Sequence, residues 1–349
     1  MSDRNSSQVL TGEPPALRLS RMIVGLWVPQ AIHAAAELGI ADLLAEKPLP
    51  AAAVAEQLGT HPDATERLLC ALVTLELLRE RDGYFELTDF GRCLGSGAAV
   101  SRRAWSRLMG GPMVWGAWGR LIDCVRTGRK APDLDAEGTS ADTFAMDDEQ
   151  ARVFHDAMDE MTRDVAPGIV AAIDWQGVRR VVDVGGGRGA LLCAILAAQP
   201  QLEGVVFDLE HARASALEGF AARGLSDRAS FAAGSFFEQA PPPADAYVIK
   251  SVIHDWDDAK SLAILRHCRD ALSPGARLFL IEPPVPEGPA PAGPASWFLS
   301  FSDLNMLINC GGRERTRAEY VALLETAGLH TRAVHATPGM FCAFEAVRA

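Results

Sequence analysis

Between residues 178 and 208 the chain reads VRRVVDVGGGRGALLCAILAAQPQLEGVVFD. Gly185, Gly186, Gly187 and Gly189 follow a short β-branched run (Val181, Val182, Val184) and precede an apolar stretch, Ala190 to Ala198. A glycine-rich turn between strand and helix lets backbone approach a ligand closely and aims the first helical amides at it. The next apolar run ends on Asp208, where a carboxylate would grip a ribose diol. Strand, glycines, helix and acid together indicate a nucleotide site rather than an incidental tight turn. Which nucleotide stays open. Gly185, Gly187 and Gly189 fit the G-x-G-x-G of S-adenosylmethionine sites, while Gly185, Gly187 and Ala190 fit the looser dinucleotide fingerprint.

In an open α/β sheet, ligands bind beyond the carboxyl ends of the strands. Those ends carry Asp183, Asp208, Ser235 with Phe236, Lys250 through His254, and Glu282. Phe236 offers a ring to stack on adenine and Ser235 a hydroxyl for its edge. His254 lies four residues past Lys250, with Glu282 at the next strand end. A histidine beside a carboxylate is the usual means of taking a proton near neutral pH. A lone histidine at a helix start is more often structural, but this position at a strand end favours a functional role.

The elements that must position these groups follow from periodicity. Further strands are expected at Ala229–Ala233, Asp245–Lys250, Arg277–Ile281, His330–Ala336 and Met340–Val347, with helices between the earlier ones. Alternating β and α predicts a parallel sheet wound on both faces, and the final pair around Thr337-Pro338-Gly339 predicts an appended hairpin. The expected fold is a seven-stranded Rossmann-like α/β domain with a terminal antiparallel hairpin, preceded by a mainly helical domain. Leu49–Gly91 has the order of a winged helix: helices at Ala51–Leu58 and Asp63–Leu78, then a hairpin turning at Asp82-Gly83. Arg18–Leu44 reads as helical, kinked or restarted at Pro29, and greasy enough at Met22 and Trp27 to bury a face against a partner chain. The expected divisions are a disordered tail at 1–17, a winged-helix-like dimerisation domain at 18–104, a helical connector at 105–165 and a cofactor-binding domain at 166–349. The connector is rich in Trp and Met, including Trp115, Phe154 and Met158, which suit core packing and also flat apolar ligands. Within it, Arg129–Met146 is polar and reads as a candidate lid.

Bulk properties narrow the function. A chain of 349 residues with 48% hydrophobic and 22% charged residues has ordinary globular composition. A formal net charge of −12 argues against nucleic acid as a partner. The would-be recognition helix carries only Arg67 as a base, against Asp63, Glu66 and Glu76. Seven cysteines contain no C-x-x-C pair, which suggests buried thiols rather than disulfides or zinc. No apolar run reaches 18 residues and no N-terminal signal is visible, so a cytoplasmic protein without a membrane partner is expected.

DVGGGRG, FDL, the strand-end Lys250, HDWDD, and GGRERT at Gly311–Thr316 together resemble the small-molecule O-methyltransferases. These enzymes depend on S-adenosylmethionine and include plant caffeate/flavonoid enzymes and bacterial relatives acting on aromatic polyketides and phenazines. The resemblance spans residue 18 to the C-terminus and rests most on HDW with GGRERT. It implies methyl transfer to a phenolic hydroxyl of an aromatic secondary metabolite, with His254 as general base and Glu282 and Glu314 flanking it. It places S-adenosylmethionine on Asp183 and Gly185–Gly187, with Asp208 and Leu209 at the ribose, Ser235, Phe236 and Trp256 around the adenine, and Lys250 beside it. Plant members carry an acid where this chain has Ser235. Trp115, Phe154, Met158, Asp255, Met306 and Asn309 fall to the acceptor side, and no metal is implied. A homodimer is implied as well, the first helix reaching into the partner's site. Other readings are the same fold with a carboxylate, amine, carbon or aliphatic hydroxyl acceptor, a nicotinamide dehydrogenase, and a winged-helix regulator. The terminal hairpin and HDW speak against the dehydrogenase, the acidic charge against the regulator.

Overall fold

A computed structural model describes residues 14–134, 147–289 and 292–349, which divide into two compact units, Met1–Pro112 and Met113–Ala349. The first unit opens with helices Pro15–Ile23 and Trp27–Leu38, separated by a 3₁₀ turn at Val24–Leu26. The break therefore precedes Pro29, which sits in the first turn of the second helix, where an amide would have no intrahelical partner anyway. The expected tail is shortened likewise: residues 1–13 lie outside the described residues, and residues 15–17 are already helical. Helix Ile40–Glu46, strand β1 (Leu49–Pro50), helices Ala51–Leu58 and Pro62–Thr74, and strands β2 (Leu78–Arg81) and β3 (Tyr84–Leu87) follow. The second of these helices stops short of the predicted Leu78, because Leu78 pairs with Leu87 in the hairpin. Asp82 and Gly83 both adopt positive φ (52° and 82°) at its tip, the mirror-image turn that matches strand twist. Sheet order β1-β3-β2 completes the winged-helix arrangement around Ile40, Leu44, Val54, Leu69, Leu72 and Phe85. By contrast Leu19, Met22, Ile23, Leu26 and Trp27 leave their side chains in solvent, Trp27 at 66% exposure.

Helix Arg103–Gly110 belongs to the first unit, so the predicted connector at 105–165 is divided between the two. The second unit begins with helices Pro112–Trp118 and Leu121–Thr127 and continues in the 25-residue helix Asp148–Ala172. Of the candidate lid at 129–146, residues 135–146 lie outside the described residues.

Strands β4 (Arg180–Val184), β5 (Glu203–Asp208), β6 (Ala229–Ala233), β7 (Ala246–Lys250), β8 (Arg277–Glu282), β9 (Leu329–Ala336) and β10 (Cys342–Arg348) form one sheet in the order β6-β5-β4-β7-β8-β10-β9. The first five are parallel; β10 runs antiparallel to both β8 and β9, so the closing hairpin is inserted rather than simply appended. Alternate residues serve opposite faces, as strand geometry requires. Val182, Val184, Tyr247, Ile249, Leu278, Leu280 and Phe344 pack in one layer, and Val181, Val206, Val248, Phe279, Ile281 and Ala343 in the other. Both faces are covered, which is why these strands read as continuous apolar runs. Because β4 has β5 on one side and β7 on the other, strand order reverses beside it, and the crevice at a sheet's ligand-binding edge opens there. The glycine turn, Asp208, Lys250 and Glu282 all follow or end strands along that edge.

Candidate active site

On the cofactor side of this edge, the chain turns through Gly185, Gly187 and Gly189 at φ of 70°, 52° and 77°, values that side-chain-bearing residues resist. The amide of Gly187 donates to Oδ2 of Asp208 at 2.8 Å, and that of Leu209 to Oδ1 at 2.7 Å. Asp208 therefore anchors the glycine turn from the neighbouring strand, in addition to lying where a ribose would bind. Beneath the turn Asp183 is buried, and a Cβ at Gly186 would meet its carboxyl carbon at 2.6 Å. Burial raises the Asp183 carboxyl to about 7, and its Oδ2 has no hydrogen-bond partner. An orphaned buried acceptor under a glycine-rich turn is a cradle that fits a nucleotide-like group carrying hydrogen-bond donors.

Phe236 lies alongside: its ring edge comes within 3.4 Å of the Cβ position of Gly185. Trp256 meets Phe237 edge-on with centroids 4.8 Å apart and Phe236 at 6.5 Å, so the three rings form one cluster. The hydroxyl of Ser235 accepts from the amide of Phe237 at 3.2 Å, and the Ser235 carbonyl from Glu238 and Gln239. Ser235 thus builds the turn that presents Phe236. Lys250 donates to Ser251 Oγ at 3.1 Å and sits 5.0 Å from the Phe341 ring centroid. Burial lowers its ammonium to about 8, against the pull of Glu282 and Asp183.

The histidine is held more tightly. His254 occupies a 3₁₀ turn, Ile253–Asp255, which begins two residues after Ser251, a residue that adopts φ of 52° although it is not glycine. What holds that turn is Glu282, fully buried at the end of β8: its Oε1 accepts from the amides of Val252 at 3.1 Å and Ile253 at 2.9 Å. The other oxygen lies 3.7 Å from His254 Nδ1. Nδ1 is also 3.1 Å from Oε1 of Glu314, which the loop before helix Arg317–Thr326 supplies. On the far side of the ring, Nε2 stands 3.8 Å from Asp255 Oδ1, beyond hydrogen-bonding distance. Burial alone would lower this histidine; the carboxylates of Glu282, Glu314 and Asp255 outweigh it and push it up to about 10. Burial in turn raises Glu282 to about 7, although its charged neighbour pulls the other way. The predicted trio of His254, Glu282 and Glu314 is therefore assembled in space, and Nδ1 faces both acids while Nε2 stays available.

GGRERT earns its place by packing. A Cβ on Gly312 would fall inside contact distance of the His254 carbonyl, so only glycine lets the loop run against the histidine turn. Arg315 is 1% exposed, and its guanidinium donates to Asp258 Oδ1 at 2.7 Å and to the carbonyls of Ile253 (3.1 Å) and Trp256 (2.8 Å). It ties the histidine turn to the Glu314 loop from behind. Thr316 then caps the next helix, accepting from the Glu319 amide while Glu319 accepts from its own. Sequence reasoning quoted this motif without a role for Arg315; the buried guanidinium appears only once the two loops meet.

The expected acceptor-side residues are partly gathered. Helix Pro294–Asn309 carries Met306, 9% exposed, and Asn309, whose amide donates to Asn305 at 3.0 Å. Trp118 Nε1 donates to Asn305 Oδ1 at 3.0 Å, and its ring stacks on Phe301 at 6.3 Å, with Trp297 at 4.9 Å beyond. Trp118 belongs to the Trp- and Met-rich stretch expected to pack or to line a flat ligand; Asn305 and Phe301 were not singled out from sequence, although they share a helical spacing of four with Asn309. Asp255 is a neighbour of His254 Nε2. Phe154 instead meets His155 edge-on at 5.7 Å, and His155 Nδ1 approaches the Gly187 Cβ position at 3.5 Å, which brings this end of helix Asp148–Ala172 to the cofactor side. Trp115 is 36% exposed on helix Pro112–Trp118, and Met158 lies one turn beyond Phe154 on its helix, half-buried.

Residues 118–330 match the O-methyltransferase domain model, and residues 20–97 match the O-methyltransferase dimerisation domain. The chain belongs to the O-methyltransferase family. It is 35% identical over 311 residues to a phenazine O-methyltransferase of Lysobacter antibioticus, covering 89% of each chain. It is 38% identical to the mitomycin biosynthesis 6-O-methyltransferase of Streptomyces lavendulae, covering 88% of this chain and 87% of that one. The structure of an O-methyltransferase from neocarzinostatin biosynthesis, with S-adenosylmethionine and 2-hydroxy-5-methyl naphthoic acid, superposes with a TM-score of 0.76 at 34% identity, covering 92% and 96%. The enzyme is an S-adenosylmethionine-dependent O-methyltransferase of the secondary-metabolite type. That decides the cofactor left open by the glycine pattern and removes the dehydrogenase and regulator readings.

Replacing Arg315 with Met is expected to remove the charged donor from the Ile253 and Trp256 carbonyls, which keep only the longer bonds from Ser261 and the Trp256 amide, at about 1.5–3 kcal/mol for a hydrogen bond to a charged group. Urea unfolding should show the loss and turnover should fall, while S-adenosylhomocysteine still binds in a calorimetric titration. Unchanged unfolding and turnover would refute the bracing role.

Proposed function

We propose that this O-methyltransferase methylates a phenolic hydroxyl of an aromatic secondary metabolite, with His254 as general base and Glu282 and Glu314 orienting it. One observation carries the reading: Nδ1 of His254 is hydrogen-bonded to Glu314 at 3.1 Å with the Glu282 carboxylate 3.7 Å away on the same side, while Nε2 makes no hydrogen bond and faces Asp255 at 3.8 Å. Nδ1 then keeps its proton, and Nε2 is the position that receives one. Relatives named for phenazine and mitomycin chemistry, and a neighbour solved with a hydroxylated naphthoic acid, support an aromatic acceptor.

A phenol has a pKa near 10, so its oxygen is a weak nucleophile at neutral pH until its proton leaves. The carboxylates bring His254 to about 10 as well, so phenol with imidazole and phenolate with imidazolium are close in energy. His254 Nε2 holds the phenolic proton while the oxygen forms its bond to the methyl carbon. S-adenosylmethionine, when bound, supplies that methyl group already activated on a sulfonium, and leaves as S-adenosylhomocysteine. Asp208 and the glycine turn hold the nucleoside part, with Leu209 beside Asp208. Phe236 and Trp256 border the adenine, Ser235 shapes that turn, and Lys250 is the countercharge behind it. Met306, Asn309 and Asp255 form the acceptor side, with Trp115, Phe154 and Met158 contributing apolar surface. Alignment of oxygen, methyl carbon and sulfur supplies much of the remaining acceleration.

His254→Ala is expected to lower turnover by about 10²–10⁴-fold with S-adenosylhomocysteine affinity nearly intact. Steady-state kinetics on phenolic acceptors checks it, and an acceptor already blocked as its methyl ether should yield no product. Retained turnover in the variant, or methylation of the blocked acceptor, would refute the reading.

The pH dependence has a definite sign. Catalysis needs an imidazole that can accept a proton, so turnover should rise with pH along a limb well above the ordinary histidine value of about 6.5. Glu314→Gln removes a negative charge beside the imidazolium, which then loses its proton more readily. The limb should move to lower pH as the plateau falls. A limb that stays in place would show that Glu314 does not govern His254.

The matched dimerisation domain and the exposed Met22 and Trp27 support a homodimer closed through the first two helices. Sedimentation should give twice the 37.4 kDa chain mass, and Trp27→Asp with Met22→Asp should halve it. A monomeric wild-type chain would end this proposal.

A further inference from the structure

Glu314 receives two donors on one oxygen. Oε1 lies 3.1 Å from His254 Nδ1 and 2.7 Å from the hydroxyl of Ser302, while Oε2 is buried without a hydrogen-bond partner. The next residue on the same helix, Asp303, accepts the backbone amide of Glu314 at 2.8 Å through Oδ1. Two consecutive residues of helix Pro294–Asn309 therefore hold Glu314, one by its side chain and one by its main chain.

We propose that Ser302 is a positioning residue for methyl transfer: its hydroxyl fixes the Glu314 carboxylate in the orientation that keeps the His254 proton on Nδ1. An ionised carboxylate only accepts hydrogen bonds, so the Ser302 hydroxyl donates. A donor on Oε1 stabilises the anion and divides its charge between hydroxyl and imidazole. It also removes the rotation that would turn the free Oε2 toward the histidine. Without it the carboxylate is held only through its backbone and the imidazole itself. The same helix carries Asn305, Met306 and Asn309, so Ser302 also links acceptor-side residues to the base.

Other charged groups surround the pair and are unchanged by a substitution at 302. They are Asp255 on the histidine turn, Glu282 at the end of β8 with Lys250 behind it and Asp303 on the serine's own helix, together with the neutral phenol of Tyr320 on the following helix. Removing the hydroxyl leaves the Glu314 charge undivided on the imidazolium, which then holds its proton more tightly. The rising limb of the pH–rate profile should move to higher pH, opposite to the shift expected for Glu314→Gln.

This inference rests on His254 being the base, and the experiment separates the two. Ser302→Ala, Ser302→Thr and His254→Ala are compared for kcat, acceptor KM, the pH limb and S-adenosylhomocysteine affinity. Expected is a kcat about ten- to a hundredfold lower in Ser302→Ala, as for a hydrogen bond to a charged group. Acceptor KM and S-adenosylhomocysteine affinity should hold, the limb should move up, and Ser302→Thr, which keeps the hydroxyl, should recover most of the rate. An inactive His254→Ala beside an unaltered Ser302→Ala overturns the role of Ser302 alone. Equal loss in the Thr and Ala variants does so too, since shape rather than the hydroxyl would then matter. An active His254→Ala overturns the base and Ser302 together.

Discussion

Three carboxylates gathered around one imidazole are costly to assemble, because each must give up water. Glu282 and Glu314 are almost fully buried, and a buried carboxylate without compensation is expensive enough to stay protonated. Compensation comes from several directions. Glu282 takes two backbone amides, Glu314 takes Ser302 and the imidazole, and the imidazole is charged by its surroundings up to about 10. Each group is tolerable only because the others are there. The left-handed Ser251, the glycine at 312 and the buried Arg315 are consequences, since they let the chain bring these charges together.

The cofactor side is built on a different economy. There the backbone of the glycine turn forms the surface, and the carboxylates Asp183 and Asp208 shape it from beneath and beside. Glycines free the space that side chains would fill, and Asp208 pins the turn across two strands. The aromatic cluster of Phe236, Phe237 and Trp256 then joins the cofactor side to the histidine turn, since Trp256 follows His254 by two residues. A shift in either half is therefore felt in the other through rigid packing rather than through charge.

Apolar patterning decides where chemistry sits before any polar group is considered. Alternation along β4, β7 and β8 covers both faces of the sheet, so a ligand has only the strand ends to use. The inserted β10 places an antiparallel strand against β8, and Cys342 pairs with Glu282, which fixes the end of that strand. In the first unit the same logic leaves an apolar helix face uncovered, a surface suited to a second chain.

Much of this was legible in the amino-acid order. Strand periodicity, the glycine turn, Asp208, His254, Glu282 and the HDW and GGRERT motifs all lie within short stretches, where local backbone geometry and spacing carry the signal. Boundaries were less legible: the first helix breaks before Pro29, and the second winged helix yields Leu78 to a strand, because pairing and capping compete with helix propensity over one or two residues. Contacts between distant segments were not legible at all. Ser302 on Glu314, Arg315 on the histidine turn, Trp118 on Asn305 and His155 over the glycine turn each join residues 12 to 187 positions apart or loops from different elements. Serine, arginine and asparagine are ordinary surface residues in a sequence, and only burial in the folded chain makes their hydrogen bonds matter. The order of residues determined the fold, the glycine turn with its strand-end acid and the histidine proposed to handle the proton. The tertiary structure alone decided which nitrogen of His254 is engaged, because that depends on Glu282 and Glu314 reaching the histidine turn from separate elements.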